Sequence, residues 1–216
     1  MNIDLCPFCK ENKNREDSPI NKSRIIMETE NFIVFPTTGG FVDNYQLIVP
    51  KKHLNCFGEL NETMQKELNQ IISWQKMINK KYFNKETCMF EHGALIPSDV
   101  SGKSIVHAHL HVFPNDKSLL EKINNYNFNI IQINKVEDLN YICHQYETYL
   151  YYCDIDNKKY VITHQGIPSQ FLRKILAENL NIKDWNWREA PYINKIEDSI
   201  NFYRCILKNN DYYKGE

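Results

Sequence analysis

Three of the seven histidines of this 216-residue chain fall in one five-residue run, His107-Ala108-His109-Leu110-His111, continued by Val112 and Phe113. Along an extended strand alternate side chains share a face and each residue rises about 3.3 Å, so the imidazoles should line one face at about 6.6 Å intervals. Val106, Ala108, Leu110 and Val112 then form the opposite face, apolar and suited to packing on a helix. About 13 Å would separate the first imidazole from the third, too far for the three to converge on one ion. They are expected to divide the labour between metal ligation and nucleophilic or proton-transfer chemistry, both of which suit a neutral imidazole.

The pattern around this run predicts an α+β chain. Short strands are expected near 24–28, 32–35 and 45–49, the last ending at Pro50, with Thr37-Thr38-Gly39-Gly40 joining the second to the third. Residues 10–23 are polar and turn-rich and read as a loop. A long helix over about 61–82 follows, capped by Asn61, with Met64, Leu68, Ile71, Ile72, Ile78 and Tyr82 at spacings of three and four. Strands near 87–91 and 104–113 flank a loop carrying Pro97, Ser98, Asp99 and Gly102.

Beyond Pro114 the pattern changes to a short helix at 119–123, strands at 130–133, 148–153 and 159–163, and two closing helices. Asp156-Asn157 supplies the turn between the last two strands. Ser169 is placed as the cap of a helix burying Leu172, Ile175, Leu176 and Leu180. The second helix, about 194–208, presents Ile196, Ile200, Tyr203 and Leu207. The expected organisation is a first domain over 1–115 and an α+β extension over 116–216 packed on it without a Pro/Gly/Ser-rich linker.

Charge and cysteine usage exclude several classes. Twenty-six basic residues against 27 acidic ones leave a net charge of -1, which gives no broad attraction to nucleic acid or anionic membrane. A nucleic-acid end as substrate is not indicated by that charge. No stretch approaches eighteen consecutive apolar residues, and Met1 to Cys6 lack the basic and apolar regions of a signal peptide. Seven cysteines, of which only Cys6 and Cys9 are close, do not make a disulfide framework and fit a reducing cytoplasm.

Cys6-Pro7-Phe8-Cys9 alone is a weak signal, readable as a plain turn or as half of a tetrahedral zinc site. The obvious further ligands are His53, in Pro50-Lys51-Lys52-His53, and His107. Ser101-Gly102-Lys103-Ser104 imitates the tail of a phosphate-binding P-loop, but that motif needs a glycine where Pro97 stands.

Taken together, residues 1 to about 115 resemble the histidine-triad family. The shared features are His107 to Phe113, the approach Gly102-Lys103-Ser104, and the strand Leu47-Ile48-Val49-Pro50-Lys51-Lys52-His53. Phe90-Glu91-His92-Gly93 is a variant of another family segment. The resemblance implies an antiparallel sheet with one long helix and attack by His109 on the α-phosphate of a nucleotide, through a covalent nucleotidyl-histidine. His111 would hydrogen-bond that phosphate, and Gly102 and Ser104 would cradle its oxygens. Zinc-bearing members hold a structural ion with residues that map to Cys6, Cys9, His53 and His107.

The implied activity is nucleotide hydrolysis or nucleotidyl transfer on nucleoside phosphates, dinucleoside polyphosphates or phosphoramidates. The alternative is a binding or scaffold module of the same fold acting on a protein or RNA partner. Family members often pair as homodimers through one sheet edge, so a homodimer is possible here unless the C-terminal half covers that edge.

Glu91 or His92 falls where many members carry Asn, and an Asp that often contacts ribose is replaced near Thr37. A carboxylate at Glu91 must be turned away or paired to coexist with phosphate. His92 reads equally as a site residue or a strand histidine. Ile167 to Arg173 and Trp185 to Arg188 are similar to a C-terminal segment of CwfJ-like proteins. There Gln170, Arg173 and Arg188 read as surface or salt-bridged residues, or as contacts to an anionic substrate. His144 and His164 read as structural.

Overall fold

The computed structural model describes residues 5–95, 105–164 and 166–209. Eight strands form one antiparallel sheet: β1 Met27–Glu28, β2 Phe32–Pro36, β3 Gln46–Pro50, β4 Glu86–Gly93, β5 Leu110–Asn115, β6 Asn129–Ile133, β7 Tyr149–Cys153 and β8 Lys159–Thr163, in the order β1-β2-β3-β5-β4-β7-β8-β6. The helices are α1 Pro7–Lys13, α2 Glu62–Phe83, α3 Leu120–Ile123, α4 Leu139–Gln145, α5 Phe171–Leu180 and α6 Ile193–Asn209. Among the described residues no helix is long and apolar enough to cross a membrane.

The sheet separates two cores. On one face α2 lays Met64, Leu68, Ile71 and Ile72 against Phe32, Val34, Ile48, Ala108, Leu110 and Val112. This is the apolar side expected of the triad strand; Val106, which precedes the strand, instead lines a cleft. On the other face α5 packs Phe171, Leu172, Ile175 and Leu176 against Phe90, Phe113, Leu150 and Ile162. Strand β7 pairs with the outer edge of β4, Glu91 opposite Tyr151 and Gly93 opposite Tyr149, so the C-terminal half continues the sheet from β4.

The caps behave as local chemistry dictates. Asn61 Oδ1 accepts from the Met64 N–H at 2.9 Å, opening α2 where expected. The helix closes on Asn84 at φ 51°, a left-handed conformation that Asn tolerates. Tyr82 lies at the surface, 37% exposed, and Trp74, Gln75 and Asn79 face inward instead. Ser169 does not cap α5; Gln170 precedes it at φ 64° without a side-chain cap bond. In α6, Ile206 is buried and Leu207 exposed.

Two departures from the expected elements bear on the site. Residues 10–13 belong to helix α1, which Pro7 opens with its preset φ and missing N–H. The polar sequence hid this helix because its inner face carries a charge. Glu11 is 3% exposed and grips Arg24 through two bonds of 2.7 Å, while Arg24 also donates to Pro36 O at 2.7 Å. Turning Arg24 inward shortens the first strand to Met27–Glu28.

The second departure is the triad strand, which begins at Leu110 rather than at Ser104. β3 pairs with β5 only from Gln46↔Val112 to Ile48↔Leu110. Two residues on, Pro50 has no N–H for the ladder, and the Ala108 N–H turns to Leu54 O at 2.7 Å. Ser104 itself, with Pro97, Ser98, Asp99 and Gly102, lies outside the described residues.

The Glu11–Arg24 pair ties α1 to the end of β2. Removing one partner leaves a buried charge uncompensated, so Arg24→Ala should lower unfolding free energy by about 3–5 kcal/mol. Urea denaturation of variant and parent measures this, and a loss below about 1 kcal/mol, the scale of an exposed pair, would show that the pair does not anchor the helix.

Candidate active site and metal centre

Helix α1, which carries Cys9, and its N-cap residue Cys6 bring two thiols to the start of the triad. Cys6 Sγ lies 3.3 Å from His107 Nδ1, Cys9 Sγ 3.5 Å from the same nitrogen, and Cys9 Sγ 3.3 Å from His53 Nδ1. The donor atoms of Cys6, Cys9, His53 and His107 all lie within 4.8 Å of one another, and neither His109 nor His111 belongs to the group. Donors bound to one zinc at ordinary Zn–S and Zn–N lengths sit about 3.3–3.8 Å apart on a tetrahedron, so the observed separations fit that ion.

The tautomer of His107 fits as well. Its Nε2 is 2.8 Å from Pro50 O, which can only accept, so the proton sits on Nε2 and Nδ1 turns its lone pair toward the thiols.

His109 is fixed the same way. Its Nδ1 is 2.7 Å from His107 O, so that nitrogen donates and the lone pair resides on Nε2. Phe8, between the two cysteines, sets its ring edge-on to His107 at 5.8 Å and to His109 at 5.4 Å, so one ring contacts both the Cys/His cluster and the next imidazole.

His111 is 9% exposed, stacked on Phe90 at 4.4 Å, with its ring 5.1 Å from that of His109. The Tyr45 hydroxyl lies 3.1 Å from His111 Nδ1. Burial drives the Tyr45 phenol above its ordinary range, against the charge and hydrogen bond of Arg173, so the phenol keeps its proton. Donating it to Nδ1 leaves His111 with its own proton on Nε2. Burial, then the neighbouring His109 and Arg173, hold the His111 imidazole well below the usual histidine range.

His109, His111, Phe90, His92 and Thr37 line a cleft of about 710 Å³ with Gln170, Arg173, Trp187 and Arg188. His92 Nε2 is 3.2 Å from Thr148 Oγ1 at the edge of this space. Glu91 points to the opposite face, where it accepts from Phe57 N and Tyr149 OH at 2.8 Å each. The carboxylate is turned away and paired, so it does not oppose an anion in the cleft. Thr37 is buried and gives its hydroxyl to Thr38 O at 3.2 Å.

The C-terminal segment is fastened to the Thr37–Gly40 loop. Gly39 N donates to Pro191 O at 2.7 Å, and Gly39 O accepts from Arg173 Nη2. At φ +71° with the Trp187 Cα 2.6 Å from where a Cβ would sit, position 39 takes only glycine. Arg173 is buried and bonded, not a surface residue, whereas Arg188 is exposed. Sequence reading missed Tyr45, Phe8 and Pro50. The aromatic inside Cys-Pro-Phe-Cys was the available signal for Phe8; Tyr45 and Pro50 act through tertiary contacts that no local pattern announces.

The His-x-His-x-His run set on an antiparallel α+β sheet defines a histidine-triad-like protein. The model of a family described as "Protein similar to CwfJ C-terminal" matches residues 1–129, and the chain belongs to that family. The match lies on the triad-bearing part rather than on 167–188, where the sequence resemblance was drawn.

No curated protein matches the sequence. Among solved structures it is similar to a hypothetical histidine triad nucleotide-binding protein of Sulfolobus tokodaii, with 22% identity, 52% of this chain and 70% of that one covered, and TM-score 0.40. A HIT family hydrolase of Clostridium thermocellum shares 22% identity over 51% of this chain and 90% of its own, TM-score 0.37. A zinc-bound histidine triad family protein of Mycobacterium smegmatis shares 17% over 65% and 94%, TM-score 0.42.

The depressed His111 pKa has a sign. The folded state keeps this imidazole neutral while the unfolded chain binds a proton below about pH 6.5. Its stability is therefore complete above that pH and is lost as pH falls. His111→Gln should show a smaller drop in urea midpoint from pH 7 to pH 5 than the parent, at equal metal content; an equal drop would remove His111 as a source of acid sensitivity.

Proposed function

We propose that this protein is a nucleotide hydrolase or nucleotidyl transferase in which His109 attacks an α-phosphate. The observation that carries the reading is the His109 Nδ1 to His107 O bond of 2.7 Å, which leaves the Nε2 lone pair as the nucleophile at the cleft wall. In the first step Nε2 bonds to phosphorus, and the electron pair of the breaking P–O or P–N bond departs with the leaving group. The Nδ1 proton stays on the ring, and His107 O stabilises the cationic nucleotidyl-imidazole. Water or a second acceptor then attacks phosphorus as the P–Nε2 bond breaks and its electron pair returns to His109; with water, one proton remains on the product as P–OH and the other passes to solvent.

His111 supplies an Nε2–H donor to the phosphate oxygens without bringing a proton of its own into question, because burial keeps it neutral. Gly102 and Ser104 join as the phosphate cradle on sequence grounds alone. The zinc proposed at Cys6, Cys9, His53 and His107 is structural: four protein ligands leave no position for water. We assign the chemistry to residues 1–115 and treat 116–216 as an extension that folds with them as one cooperative unit, β7 continuing the sheet from β4.

His109→Ala should abolish adduct formation and turnover with adenylyl and guanylyl compounds, a loss on the order of 10⁶ in kcat, with the melting temperature kept. Near-normal turnover in that variant would overturn the nucleophile.

His107→Ala should lower both zinc content and melting temperature, since binding energy at such a site is folding energy. Elemental analysis of protein purified without chelator is expected to find one zinc per chain. Metal-free protein with an unchanged melting temperature would remove the ion.

A further inference from the structure

The cleft has two walls with different charge. One is the triad wall of His109 and His111. The other comes from the chain after residue 168: Gln170, Arg173, Trp187, Arg188 and Pro191. Arg173 is 3% exposed and, among the described residues, makes no ion pair. Its Nη2 serves the Gly39 and Trp185 carbonyls, its guanidinium lies 5.3–5.4 Å from the Tyr45 and Phe41 ring centres, and its Nε is buried without a partner.

Arg188 sits at the rim, its guanidinium carbon 4.7 Å from the centre of the Trp187 ring, also without a carboxylate partner among the described residues. The acidic groups lining the cleft do not offset them. Glu11 is paired with Arg24, and Asp17 is exposed to solvent and forms no ion pair with Arg173 or Arg188 among the described residues.

A buried guanidinium without a counter-charge is costly, and it marks a place where an anion is expected. We propose that Arg173 and Arg188 form a second anion subsite that binds a polyphosphate leaving group, so that the substrate is a nucleoside or dinucleoside polyphosphate rather than a nucleotide with a small neutral leaving group. The proposal rests on the His109 reading, which puts the α-phosphate on the triad wall; the second wall then meets whatever lies beyond it.

In this arrangement His109 Nε2 displaces the bridging oxygen of the next phosphate. The electron pair leaves with that oxygen as an anion, which needs no proton donor because the arginines meet its charge. Arg173 serves both walls, since its charge and hydrogen bond also act on Tyr45, the partner of His111. Gln170 braces the segment, its side chain donating to Asn186 Oδ1 at 3.1 Å.

Arg188 carries the test, because Arg173 also fastens the Gly39 loop and its removal threatens the fold. Inorganic tripolyphosphate is titrated into parent, Arg188→Ala and Arg188→Lys by calorimetry. In parallel, kcat/KM is compared for diadenosine tetraphosphate and adenosine phosphoramidate. Expected is a tripolyphosphate affinity lowered on the order of ten- to a hundredfold in Arg188→Ala, one charge-assisted contact, with partial recovery in Arg188→Lys.

The tetraphosphate-to-phosphoramidate ratio should fall by a similar factor. Tripolyphosphate binding equal in parent and Arg188→Ala, or absent in the parent, overturns the subsite. Intact-mass detection of the nucleotidyl adduct in the parent separates the two ideas. An adduct without Arg188-dependent tripolyphosphate binding overturns the subsite alone. Arg188-dependent binding without any adduct or turnover overturns the covalent reading and the leaving-group role together.

Discussion

The geometry of the site follows from a proline that cannot donate. β3 and β5 pair until Ile48 meets Leu110, and Pro50 then offers a carbonyl but no N–H. The backbone from His107 to His109 leaves the sheet, its Ala108 amide taken by Leu54. The Pro50 carbonyl left over accepts from His107 Nε2, and the His107 carbonyl accepts from His109 Nδ1. Two successive carbonyls thus set two tautomers in series. The first turns a lone pair to the thiols and the second turns one to the cleft.

That chain of bonds explains why the Cys/His cluster and the cleft are adjacent yet distinct. The His107 Nδ1 faces the cysteine pair, and the Phe8 ring lies edge-on to both His107 and His109. A metal bound by two thiolates and two imidazoles would clamp α1 to the start of the triad strand. Its influence on His109 would be to hold the His107 carbonyl in place, which is a positional effect and requires no ligand exchange.

Much of this was legible in the sequence. The alternation of His and apolar residues set the two faces of β5, and Ala108, Leu110 and Val112 do bury against α2. The four prospective zinc ligands, separated by as much as 101 residues, converge as the resemblance implied. What stayed hidden depends on tertiary pairing. Helix α1 reads as a polar loop because Glu11 belongs to a buried ion pair whose other half lies thirteen residues on. The 7-residue α4 is too short for a periodic signal. The segments of Arg173 and Trp187 stand out in the sequence, but the burial of Arg173 does not; only the close approach to Gly39 reveals it.

The buried charges give the two halves of the chain a common purpose. Glu91, on a strand beside the triad, is turned to the α2 face and neutralised by a backbone N–H and a phenol. The negative charge that would oppose phosphate is thereby removed from the cleft. On the cleft face Arg173 is, among the described residues, a buried charge without a carboxylate, contributed by the second half and bonded into the loop of the first. Its field also disfavours a proton on His111, reinforcing what burial begins. An anion entering between these walls therefore meets a neutral donor on one side and a fixed cation on the other, both in place before it arrives, so little reorganisation opposes its binding.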